Sequence, residues 1–83
     1  MAEERVGEIS HWFDNISVAG IKLSGDLAVG DRVHIIGHTT DLEQEITSME
    51  LDNQEVDQAT AGDEIGVRLN GRARPGDDVF RVT

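Results

Sequence analysis

Three of the four aspartates that follow a glycine lead into β-branched runs: Asp31 in "VGDRVHII", Asp63 in "AGDEIGV" and Asp77 in "PGDDVF". Repeated carboxylates could share a metal ion or move protons. The same pattern also suits a turn, with glycine taking the left-handed conformation and aspartate bonding to nearby backbone amides. Because each pair leads directly into β-branched residues, the spacing assigns all three aspartates to turns first. His34 and His38, with Asp41 nearby, are zinc-type donors. Strand residues four apart are roughly 13 Å from each other, too far for one ion unless Gly37 folds the chain back. They read as an exposed pair at a strand end. "ELDNQEVDQ" at 50–58 is acidic but lacks the alternating oxygen donors and central glycine of a calcium loop.

Other chemistries lack their residues. There is no cysteine, so thiol catalysis, thiolate metal sites and disulfides are all excluded. Lys22, the single lysine, sits in "AGIKLSG" rather than at the end of a glycine-rich phosphate loop, and no nucleotide is expected. No Gly-x-Ser-x-Gly elbow is present, and Ser10-His11 has no spacing that asks for a triad. The expectation is a protein that is not an enzyme, with no catalytic residue, no cofactor and no metal ligand.

The elements that would position any site are strands. Eight Val and seven Ile outnumber five Leu, and β-branched side chains suit a pleated surface. "EIGVRL" places Ile65, Val67 and Leu69 on one face, "RVHII" does so with Val33 and Ile35, and "AGIKL" with Ala19, Ile21 and Leu23. Further strands are expected at 6–11, 45–51, 55–58 and 79–82, giving about seven. Asn70-Gly71 and Pro75-Gly76 are turn pairs. The polar segment 38–45 reads as a longer excursion or a bulged edge. With 83 residues, the chain is one domain, 1–83 with its core at 6–82, and buries only roughly 60–65% of its unfolded surface.

The formal charge is −10. Such a surface repels phosphate backbones and anionic membranes, so non-specific nucleic-acid binding is not expected and a basic protein partner is. No apolar stretch approaches the roughly 20 residues of a membrane span. "MAEER" is not the basic start of a signal peptide. The expected location is the cytoplasm.

"HWFDN" at 11–15 holds the single Trp. Adjacent strand residues face opposite ways, so one of Trp12 and Phe13 packs inward and the other meets solvent. An exposed aromatic there, with His11, is a partner contact or a stacking surface.

The runs "G-x-L-x-V-G-D-x-V-x-I-x-G" at 25–37, "S-M-E" at 48–50, "A-G-D-x-I-G-V-x-L" at 61–69 and the closing "R-P-G-D-x-V" resemble the second domain of translational GTPases, of the elongation factor Tu and initiation factor 2 kind. "HWF" and "TTDLEQEITSME" resemble stand-alone translation elongation factor-like proteins and the C-terminal barrel of collagenase-like peptidases. The resemblance implies an all-β fold, a small closed antiparallel β-barrel of the translation-factor domain 2 type. It implies a non-catalytic binding module working with the translation machinery, at an RNA end or a ribosome-associated factor. Glu50 falls where the family has a glutamate near the terminal adenosine of transfer RNA, and Asn53 where it has an arginine. His11, Trp12, Phe13, Glu50 and Asn53 are thus the expected partner-binding residues. The alternative is an acidic protein–protein adaptor or an accessory module for a separate enzyme.

Overall fold

The alternating pattern becomes ten antiparallel strands in the computed structural model, which describes residues 2–83. Met1, the first residue of the expected domain, lies outside the described residues. The strands are β1 (Glu3–Phe13), β2 (Val18–Leu23), β3 (Leu27–Ala28), β4 (Arg32–Ile36), β5 (Asp41–Glu45), β6 (Met49–Leu51), β7 (Gln54–Glu55), β8 (Gln58–Ala59), β9 (Glu64–Arg68) and β10 (Asp78–Val82). Their inward side chains, among them Val6, Ile9, Ile21, Val33, Ile35, Ile65, Val67 and Val79, are all at most 2% exposed. Burying one such side chain stabilises by about 1.5–3 kcal/mol, which is how a cysteine-free chain of this size holds together.

The expected closed barrel does not form. Eight strands make one open sheet in the order β5-β4-β10-β1-β2-β9-β6-β7, and β3 pairs separately with β8. The two edges, β5 and β7, share no ladder. The cause lies in 46–48, inside the strand expected at 45–51. Ile46 accepts from the Gly30 N–H at 2.9 Å and donates to the Asp31 carbonyl at 2.8 Å, so the chain leaves β5 and crosses to the far side of the sheet before β6 begins. The strand expected at 55–58 also splits, with Gln54–Glu55 in the large sheet and Gln58–Ala59 against β3. Segment 38–45 is a short hairpin turn followed by a regular edge strand.

The open seam is crossed by a side chain. Gln44 on β5, only 6% exposed, points inward. Its amide nitrogen donates to the Arg68 carbonyl at 3.1 Å, and its amide oxygen accepts the Asn70 N–H at 2.6 Å.

Three of the four Gly-Asp pairs build the same turn; Gly25-Asp26 does not. Gly30, Gly62 and Gly76 have φ of +98°, +95° and +95°, which glycine alone takes without strain. In each, the aspartate Oδ2 accepts the N–H three residues back, from Ala28, Thr60 or Arg74, at 2.8–3.0 Å. The glycine N–H and aspartate carbonyl then bracket a buried apolar residue across the way: Ile46, Leu23 and Ile9 respectively. The aspartates are corner-formers.

Strand β1 is paired on both sides and carries two bulges, at 5–7 against β10 and at 9–11 against β2. A bulge adds one residue and reverses which side chains face inward. Ile9 pairs with Ile21, Ser10 is the extra residue, and Trp12 pairs with Ala19 on the core side. Phe13 is therefore turned out, at 47% exposure. At the ends of the chain, Ala2 and Thr83 exchange backbone hydrogen bonds of 3.1 and 2.8 Å.

Candidate functional site

The antiparallel register aligns His11, Gly20, Gly66, Glu50 and Glu55 in a single row across the outer face of β1, β2, β9, β6 and β7. Gly20 is covered by Ser10 and His11, while Gly66 leaves backbone where a side chain would stand, so the row sinks into a trough beside Glu50. Beside it runs a second row, Phe13, Val18 and Arg68. Ile16, in the β1–β2 turn, adds an apolar side chain that is 50% exposed. Two clefts of about 480 and 390 Å³ share Ile16, Val18, Glu50 and Gly66, and together form this trough.

The turns flanking the trough are conformationally unusual. Ser17, Asp52 and Asn53 have φ of 56°, 53° and 64°, and among the described residues no other non-glycine residue has positive φ. Asp52 and Asn53 form the two-residue connection of β6 to β7, where both central residues must be left-handed and Asp and Asn tolerate it. His11 and Phe13 stack loosely, with ring centroids 6.0 Å apart. The His11 ring also lies 4.0 Å from Glu64, whose carboxylate accepts the Ser10 hydroxyl at 2.5 Å.

The electrostatics of the two outer surfaces differ. Over β5, β4, β10 and β1 the charges are matched: Arg5 bonds Asp78 at 3.0 Å and Arg32 bonds Glu43. His34 sits between Glu3, 2.9 Å from Nδ1, and Asp41, 2.6 Å from Nε2. Those two carboxylates, Asp41 foremost, raise the His34 pKa above its ordinary value. Each ring nitrogen of His34 lies within hydrogen-bond distance of a carboxylate, so both are occupied within the cluster. His38 is not part of the cluster, and among the described residues no three or more His, Asp or Glu side chains are placed to hold a metal ion. In the trough the balance is different. Glu50 and Glu55 stand directly opposite each other across the β6–β7 ladder, an arrangement that like charges destabilise. Neither they nor Asp52 has a cationic partner within 4.0 Å among the described residues.

Of the five residues expected at a site, Phe13, Glu50 and Asn53 line this trough, and His11 stands just outside it, beside Phe13. Trp12 does not. It packs against the core, its indole N–H donates to Asp14 at 3.1 Å, and it borders a separate cleft with Arg72 and Pro75. Sequence reasoning missed Ile16, Gly66 and Glu55. The available signal was an isoleucine between the polar Asn15 and Ser17, where a turn has no use for one.

Comparison with known proteins points in one direction. The chain is 38% identical over 76 residues to an uncharacterized protease of Methanocaldococcus jannaschii, covering 90% of this chain and 19% of that protein. It is 32% identical over 78 residues to a collagenase of Porphyromonas gingivalis, covering 92% of this chain and 22% of that one. The chain thus spans about a fifth of the length of the curated relatives it matches. Among solved structures, the C-terminal domain of a Geobacillus thermoleovorans U32-type peptidase superposes with a TM-score of 0.90 at 16% identity, covering 96% of this chain and 93% of that one. Its selenomethionine variant gives 0.87 at 16% identity, covering 92% and 96%. At such identity the likeness speaks for the fold. No family model matches the chain.

These findings overturn the resemblance to the second domain of translational GTPases. They also overturn the translation component as partner: the likeness is to peptidase C-terminal domains, and nothing in it leads to the translation machinery. The roles that resemblance gave Glu50 and Asn53 at a transfer RNA end fall with it. The motifs misled because they are made of turn and core residues, which describe a kind of fold and say little of function. No helix among the described residues is long and apolar enough to cross a membrane.

Proposed function

We propose that this chain is a non-catalytic accessory β-domain that works alongside a peptidase-type catalytic part. The observation that carries the reading is the protease match: nearly all of this chain aligns with only a fifth of the relative, leaving the chemistry to the rest. The domain's task is docking. A rigid sheet presents the trough lined by Phe13, Ile16, Glu50 and Asn53, with His11 at its end, and the acidic surface selects a basic protein partner over nucleic acid. A cysteine-free domain of this size suits a reducing compartment, and the cytoplasm is the location we assign.

The test is reconstitution. The Methanocaldococcus jannaschii relative is prepared without the segment that aligns with this chain, and this chain is added back. Association measured by calorimetry, together with altered cleavage of a protein substrate, is the expected result. If the two neither associate at tens of micromolar nor change cleavage, the accessory reading fails.

A further inference from the structure

We infer that the trough receives an extended polypeptide segment carrying Arg or Lys beside an apolar residue, supplied by the partner protein. The inference rests on the accessory reading and names the chemistry of its docking surface. Three features converge on this occupant. Phe13 and Ile16, 47% and 50% exposed, offer apolar contact on one side. Glu50, Glu55 and Asp52 on the other have no cationic partner within 4.0 Å among the described residues, even though Arg68 stands on the wall of the same cleft, and the Glu50–Glu55 repulsion is relieved when a cation enters. Between them, Gly66 lines both clefts and leaves room for a main chain, since a Cβ there would meet only Val18, at 3.5 Å.

Charge also decides among occupants. A second copy of this chain brings another −10, and an RNA brings phosphates, so both are repelled. A cationic peptide is attracted. The length fits as well: the row from His11 to Glu55 crosses five strands, roughly 19 Å, which about six extended residues span.

The probe is a fluorescent eight-residue peptide of alternating Arg and Val, titrated with the whole chain and read by anisotropy. It binds, and its affinity falls about tenfold between low and high salt. Glu50→Gln with Glu55→Gln weakens it about five- to tenfold. Asp26→Asn with Glu45→Gln, which removes the same charge outside the trough, leaves it unchanged. Gly66→Val blocks the floor and abolishes binding. A Cβ at Gly66 meets only Val18, at an ordinary 3.5 Å, so Gly66→Ala keeps the melting transition of the parent and, as a milder block of the same floor, weakens binding. The inference is overturned if the Arg–Val peptide does not bind, if a Glu–Val peptide or a single-stranded RNA binds as tightly, or if the two charge-matched double variants behave alike. A chain that rejoins the protease remainder yet ignores the Arg–Val peptide sinks this inference and leaves the accessory reading standing. The converse pair of results sinks the accessory reading alone.

Discussion

Gln44 and Asn70 join two parts of the sheet that no ladder connects: the side-chain oxygen of one accepts the backbone N–H of the other at 2.6 Å. With its nitrogen on the Arg68 carbonyl, the Gln44 amide does what a peptide group of an adjoining strand would do. Gln44→Leu keeps the volume and loses both bonds, and is expected to lower stability by about 1–2 kcal/mol in urea unfolding. Gln44→Glu retains the acceptor but turns a carboxylate towards the Arg68 carbonyl. Its deficit is larger at neutral pH and shrinks near about pH 4, where an ordinary Glu gains its proton. Equal stability of Gln44→Leu and the parent would show that the seam needs no bridge.

The three Gly-Asp turns are alike in geometry yet answer differently to proline. Pro75 already occupies the position before the glycine in one of them. Ala61 holds that place in the second, and its N–H makes no hydrogen bond among the described residues. Ala61→Pro is expected to stabilise by about 0.4–1 kcal/mol, by restricting the unfolded chain. Val29 holds it in the third, but its N–H donates to the Asp57 carbonyl at 2.9 Å. Val29→Pro removes that bond and destabilises by about 1 kcal/mol or more. Thermal melts of the two variants should move in opposite directions.

The bulge at Ser10 decides which aromatic faces the core. Deleting Ser10 restores simple alternation beyond Ile9, which brings Phe13 inward and turns Trp12 out. Trp12 is the single tryptophan, so its fluorescence emission reports the exchange directly. A red shift with retained β-sheet circular dichroism is expected. Unshifted emission in a folded deletion variant would contradict the assignment.

The Glu3–His34–Asp41 cluster makes stability depend on pH. The His34 pKa is raised in the folded protein by its bonds to Asp41 and Glu3, while the unfolded value stays near about 6.5. The folded state therefore holds this proton more tightly. The stabilisation is fully present below about pH 6.5 and is lost as pH rises through the folded pKa. Much of the cluster is open to solvent, so added salt weakens the effect. His34→Gln should flatten the melting temperature across that window, and a parent that is flat there already would refute the coupling.

Much of the architecture could be read before any coordinates. Val33, Ile35, Ile65 and Val67 alternate so strictly that only one face of their strands can be buried, and the Gly-Asp pairs announce their own corners. What could not be read is set by longer-range geometry. Ile46 is as apolar as its neighbours in a continuous strand would be, and only its pairing with Gly30 and Asp31 shows that the ladder stops there. Trp12 and Phe13 are assigned to opposite faces by sequence, but a one-residue bulge with no signature of its own chooses between them. The trough was half legible. Phe13 and Glu50 stood out by type, whereas Gly66 matters only because register sets it beside Glu50.

The mutual pairing of Ala2 and Thr83 bears on how such a unit can be carried. Since the incoming and outgoing backbone emerge together, it can be slotted into a host polypeptide as an insert with a single neck, leaving every internal strand in place. The same proximity allows its order to be rewired: a short glycine link between those residues, with new ends opened at the Asp52–Asn53 loop, should give a circular permutant that still folds.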